Sequence, residues 1–171
     1  MEHQGHMIHT DPNTVSEPSD KRRTLEEWTE ILEKASADPW HLSLVAVQPP
    51  EPLILGGLAF HGGERRKVRH HGHFGISVDA DWRGCGVGSA LMRVMLDWAA
   101  AHTDIEKVCL GVFATNVGAQ RLYQRLGFRP EHVSPMHFKL APGKYVDDIW
   151  MALYVKPGLA PAGFKTWEKP G

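Results

Sequence analysis

Val78-Asp79-Ala80-Asp81-Trp82-Arg83-Gly84-Cys85-Gly86-Val87-Gly88-Ser89-Ala90-Leu91 is the stretch whose reading governs the rest of the chain. It reads as the end of a strand, a glycine-rich turn and the opening of a long amphipathic helix. Such a turn leaves several backbone N–H groups unpaired at the helix start. They point outward together, and the helix dipole favours negative charge there. Glycines let an anion reach the backbone with no side chain in the way. The local physics describes a phosphate site.

Position narrows the ligand. A dinucleotide fingerprint G-x-G-x-x-G needs glycine at position 89, which is Ser89. It also belongs early in a repeated parallel fold, and antiparallel strands precede it here. A P-loop needs a lysine at its end, and none is present.

On the upstream side, Phe74, Ile76 and Val78 alternate, which is strand period. Gly75 within that strand predicts a bulge or a close backbone approach. Residues 61–69 read as a loop, with Arg65, Arg66, Lys67 and Arg69 a solvated turn rather than an anion site. Residues 42–47 and 53–60 are predicted strands around the Pro49-Pro50-Glu51-Pro52 turn. A helix is predicted from Thr24, with Glu27 completing a capping box and Leu25, Trp28, Ile31, Leu32 and Ala35 on one face. Residues 1–23 are polar and weakly patterned.

Downstream, Val87, Leu91, Val94, Met95 and Trp98 mark the apolar face of a helix over 87–101. Residues 107–113 form a buried-type strand. A second helix covers 116–126, with Ala119, Leu122 and Leu126 inward and Gly127 as its stop. Two final strands follow, one from Phe128 and one over 145–155. The tail over 156–171 is rich in Pro, Gly and Lys and is expected to pack loosely. The order describes one mixed α/β domain with a strand-helix-strand crossover at its centre.

Bulk properties bound the partners. At 171 residues the chain suits a single domain, able to bury roughly 70% of its unfolded surface. A formal net charge of -1 makes no electrostatic case for nucleic acid or an anionic membrane. No apolar run approaches the roughly 18 residues that span a bilayer. Cys85 and Cys109 form no C-x-x-C pair. Reduced thiols and the lack of a signal-peptide layout fit a cytoplasmic protein.

The turn resembles the signature of the GNAT superfamily of N-acetyltransferases, Q/R-x-x-G-x-G/A, here Arg83-Gly84-Cys85-Gly86-Val87-Gly88. In that superfamily a strand carrying L-x-V precedes N-x-x-A-x-x-L-Y-x-x-x-G-F. Here these are Leu110-Gly111-Val112, then Asn116, Ala119, Leu122, Tyr123, Gly127 and Phe128. Gly143, Tyr145, Asp147 and Met151 resemble the G-x-Y-x-D-x-x-x-M ending of many members. The resemblance covers residues 24–155. The strand and helix that usually open the family pattern have no clear counterpart in residues 1–23.

The resemblance implies acetyl-CoA as acyl donor and a primary amine, of a small molecule or a protein, as acceptor. It implies a GNAT-like fold whose two central parallel strands splay apart around the thioester. Backbone amides of Arg83, Gly84, Cys85, Gly86, Val87, Gly88 and Ser89 would hold the pyrophosphate. The pantetheine arm would pair with backbone near Ile76 and Val78. Asn116 matches a position that contacts pantetheine, and Tyr123 matches the general acid beside the thioester sulfur. Homodimerisation also fits the resemblance, although no interface pattern stands out.

The same residues have plainer readings. Tyr123 could face the core edge, and Asn116 could serve as a helix N-cap with or without a ligand contact. Cys85 sits where thiolates are favoured, but a small residue suffices there. His71 and His73 lie on the strand face opposite Phe74, which makes them proton-relay candidates. Together with His70 they lack a Cys or carboxylate cluster at ligand spacing, so no metal site is assigned. Glu64 is a weaker base candidate, and Tyr145 and Asp147 either shape the acceptor pocket or fill the last strands. A non-catalytic acyl-CoA-binding module is the alternative function, and a nucleotide-binding oxidoreductase is disfavoured by the missing fingerprint.

Overall fold

The computed structural model describes Glu33, residues 37–50 and residues 53–169. The helix start expected at Thr24, its capping box and its apolar face lie outside the described residues, as does the segment over 1–23. Within them the order is β1 (His41–Gln48), β2 (Leu53–Gly62), β3 (His71–Val78), a single 3-10 turn (Ala80–Trp82), α1 (Val87–Ala101), β4 (Lys107–Phe113), α2 (Val117–Arg125), β5 (Arg129–Ala141) and β6 (Lys144–Tyr154). The six strands form one mixed sheet in the order β1-β2-β3-β4-β6-β5. Only β3 and β4 run parallel, joined by α1 as the crossover.

Paired residues share a face of a sheet and sequence neighbours alternate. One face therefore carries Leu58, Phe60, Phe74, Val108, Leu110, Val112, Met151 and Leu153. All of these are buried in the main core. Both helices supply its other wall, through Leu91, Met92, Met95, Leu96 and Ala99 of α1 and Tyr123 of α2. Burying each large apolar side chain contributes about 1.5–3 kcal/mol. The other face carries His41, His61, His73, Gly75, Cys109, Gly111, Trp150 and Asp148.

The inward face of α1 differs from the expected one. Val94 is 54% exposed, whereas Met92, Leu96 and Ala99 are buried. A wide stripe set by the long Met and Leu side chains faces the sheet, and a β-branched valine is left in solvent. Gly75 makes no bulge: it pairs in unbroken register with Ala59, and nothing approaches its Cβ position within 4 Å. The tail is also tighter than its composition suggests. Thr166 bridges to Tyr154, the Trp167 backbone N–H donates to the Tyr154 carbonyl at 2.7 Å, and its indole N–H donates to Asp97 on α1 at 3.0 Å. One aromatic anchor with a satisfied indole holds a segment of turn-forming residues in place.

Candidate functional site

The parallel ladder between β3 and β4 is short. It pairs His71 with Lys107, Gly72 with Val108 and His73 with Cys109, and then stops. Residues 74–78 of β3 keep their antiparallel partners in β2, and residues 110–113 of β4 keep theirs in β6. Between them the sheet opens. The facing backbone edges form no ladder with each other beyond this point, and unpaired strand edges are strong templates for an added extended chain. Ile76 and Val78 lie on the β3 side of this gap.

The glycine-rich turn stands at the open end of β3. Gly84 and Gly86 adopt φ of 77° and 90°, a region that favours glycine. Gly86 is the N-cap of α1 and has no side chain to satisfy the first helical amides. No backbone N–H from residue 84 to residue 89 meets an acceptor among the described residues. The Arg83 side chain turns back and donates from Nε to the Val78 carbonyl at 3.2 Å, tying the turn to the strand end. Space over Gly84 and Gly86 is open, with nothing within 4 Å of either Cβ position. Unpaired donors, an exposed helix start and an open approach together suit a diphosphate.

The second helix closes the gap from the core side. Asn116 is its N-cap, with Oδ1 accepting from the Ala119 N–H at 3.1 Å. The Gln120 side-chain amide donates to the carbonyls of Phe113 and Ala114, which fixes the end of β4. Tyr123 is only 7% exposed and packs edge-on against Phe74, the first residue of β3 beyond the ladder. Its surroundings are apolar, and burial pushes the phenol up to about 12. It is a neutral O–H donor at any physiological pH.

His73 ends the ladder on the face away from Tyr123, beside His61 at 5.8 Å between ring centroids. His61 in turn meets His41 at 3.0 Å between Nδ1 atoms, a contact that one proton must bridge. Partial burial first, and His61 second, hold His73 below its ordinary value. His61 is lowered by burial and then by His41, and His71 by burial and then by His70. His61, His71 and His73 line one cavity of about 550 Å³ with Gly62, Glu64 and Arg65. Another cavity of about 550 Å³ lies on the outer side of α2, among Arg121, Arg125 and Arg129. The β3–β4 gap belongs to neither.

Other sequence candidates are occupied elsewhere. Asp147 accepts from the Met136 N–H at 2.8 Å, holding that residue at φ 51° where the β5–β6 register shifts. Tyr145 is largely exposed. Arg65, Arg66 and Lys67 are exposed as expected, but Arg69 stacks over the Trp40 ring at 4.1 Å. Cys109 is buried, which pushes its thiol up to about 11 and leaves it unreactive. The residue that sequence reasoning passed over is Asp148, buried on the face opposite the helices. Its only sequence signal was a second acid beside Asp147.

Comparison with known proteins agrees with this geometry. Residues 5–128 match the model of the Acetyltransferase (GNAT) family, so the match begins inside the weakly patterned N-terminal segment. The L-amino acid N-acetyltransferase AaaT of Escherichia coli is 34% identical over 99 residues, covering 58% of this chain and 60% of that protein. Human N-acetylaspartate synthetase is 40% identical over 68 residues, covering 40% of this chain and 22% of that protein. The chain thus aligns with less than two thirds of either relative. A GNAT-family acetyltransferase structure from Streptococcus pneumoniae superposes with TM-score 0.79 at 25% identity, covering 85% of both chains. The fold is shared at TM-score 0.77 and 18% identity with yncA of Salmonella typhimurium, solved with its cofactor acetyl-CoA, over 95% of this chain and 90% of that one.

Proposed function

The chain belongs to the GNAT family of acetyltransferases, and from that premise we propose that it moves an acetyl group from acetyl-CoA to a primary amine by direct attack. The observation that carries the reading is the coincidence of two features at one place. Unpaired amides over residues 84–89 stand at the open end of the strand pair that parts after His73. Diphosphate on the turn and an extended arm along residues 76–78 fit one ligand, an acyl-CoA.

The donor supplies a thioester carbonyl, and the chain supplies position and hydrogen bonds. Backbone N–H groups of Gly84, Cys85, Gly86, Val87, Gly88 and Ser89 bind the diphosphate, with Arg83 bracing the turn. Strand backbone at Ile76 and Val78 aligns the arm, and Asn116 orders the start of α2 beside it. An alkylammonium must first lose one proton to solvent, since its pKa lies near 10.4. His73 or His71, each lowered chiefly by burial, would relay that proton. The amine nitrogen then bonds to the carbonyl carbon and the C–S bond breaks. Tyr123 donates a hydrogen bond to the departing sulfur. Full transfer of its proton to a thiolate of pKa near 8.5 would be about 5 kcal/mol uphill. The proton that ends on sulfur is therefore the one shed by the attacking amine, and Tyr123 stabilises charge rather than giving up its own proton.

Two relatives named for acting on amino acids, an L-amino acid N-acetyltransferase and N-acetylaspartate synthetases, favour a free amino acid as acceptor. The test is CoA-thiol release from acetyl-CoA against L-alanine, L-methionine, L-aspartate, spermidine and an N-terminal peptide. Release above background with an amino acid supports the reading. Acetyl-CoA binding with no release across the panel would favour the non-catalytic acyl-CoA-binding module.

A further inference from the structure

Asp148 is 3% exposed, yet its Oδ1 has no hydrogen-bond partner among the described residues. Leaving a buried carboxylate oxygen without a donor is costly, and such groups persist where something else completes them.

The position of this carboxylate is specific. Asp148 pairs with Phe113, so its side chain lies on the face away from both helices. The carboxylate rests over Gly111: a Cβ there would stand 2.9 Å from Oδ2 and 3.0 Å from Oδ1. Only glycine at 111 lets the acid lie against β4, the strand that borders the gap. Carrying the parallel register two residues past His73 and Cys109 sets Gly75 against Gly111. Both are exposed, and the space over Gly75 is empty to 4 Å. The opening in the sheet is therefore flanked by two residues without side chains, with one unpartnered anion beside it. Tyr123 and Phe74 lie on the opposite face.

We propose that Asp148 receives the cationic amino group of the acceptor, entering past Gly75 and Gly111 from the face opposite Tyr123. The proposal rests on the acetyl-transfer reading and adds the acceptor subsite to it. A charge-assisted hydrogen bond to a buried carboxylate selects ammonium over neutral nucleophiles. It also sets nitrogen and sulfur on opposite sides of the sheet, so the entering amine does not compete with the leaving thiol for space. Asp148 is in this view an acceptor-binding residue, and neighbouring Asp147 is a structural one.

The experiment compares the full chain with the isosteric Asp148→Asn variant. Spermidine and L-alanine are titrated by thermal shift in saturating CoA, and initial rates are measured with both and with hydroxylamine, which is largely uncharged at neutral pH. Asp148→Asn is expected to keep the acetyl-CoA thermal shift and to lose the amine-induced shift. The KM for the better of the two cationic amines should rise at least tenfold, and that for hydroxylamine less than threefold. Unchanged KM for the cationic amine, or equal losses for both nucleophile types, overturns the proposal. If Asp148→Asn does not fold, Gly111→Ala, which drives a methyl group into the carboxylate, must give the same selective loss. Transfer by the wild type with an Asp148-independent KM would sink this subsite alone. An Asp148-dependent amine shift with no transfer would sink acetyl transfer and leave the subsite standing.

Discussion

His73 is the last residue of β3 to pair with β4, and its partner is Cys109. One step further, Phe74 and Leu110 both turn to the helix-bearing face and into the core. From this fork the two strands have separate partners. The backbone edges between them share no ladder, and the predictions below centre on the residues around this fork.

Gly86 sits at φ 90° with open space around it. A Gly86→Val change meets nothing within 4 Å of its Cβ, but it forces a β-branched residue into a left-handed conformation at about 1–2 kcal/mol or more. For a chain of this size that lowers Tm by roughly 2–8 °C. The distorted turn should also abolish the rise in Tm that acetyl-CoA gives the wild type. Differential scanning fluorimetry with and without acetyl-CoA reads both. A full ligand shift in the variant would remove the turn from the donor site.

Tyr123→Phe keeps the ring that packs on Phe74 and Phe128. Stability should change by less than about 1 kcal/mol, because one hydroxyl is removed and no cavity is made. The acetyl-CoA thermal shift should persist while kcat at saturating substrates falls tenfold or more. With the phenol at about 12, the wild-type rate should show no loss from tyrosine ionisation up to about pH 10. Equal kcat in the two proteins would remove Tyr123 from the chemistry.

His61, His71 and His73 are all held below their ordinary value in the folded chain. Unfolded, each binds a proton near pH 6.5. Between that pH and the lower folded values, the unfolded state holds more protons, so stability falls as pH falls through this window. Above about pH 7 both states are neutral and the effect vanishes. Tm measured in steps from pH 8 to pH 5 should stay level and then drop. His73→Gln should make the drop shallower, because it removes one of the three groups. An unaltered slope would show that the histidine row on this face is not coupled to folding.

Much of this architecture was legible in the residues. The 3.6-residue pattern in 87–101 and 116–126, and the alternation of Phe74, Ile76 and Val78, depend on local geometry alone. The helices and strands fall where those patterns place them. Asn116 caps α2 as its type predicts. Positive φ at Gly84 and Gly86 follows from a turn that only glycine makes easily. Local signals failed where a neighbour decided the outcome. Val94 faces water because the sheet lies on the other side of the helix, and Trp167 anchors a tail whose composition reads as loose.

The sequence by itself determined the elements, their order and the glycine-rich turn over residues 83–88, because backbone conformation and amphipathic period are properties of neighbouring residues. Tertiary structure alone decided that the parallel pair parts after His73, and that Asp148 lies over Gly111. Both depend on strand register between segments some 35 residues apart. A one-residue slip would turn every one of those side chains to the other face.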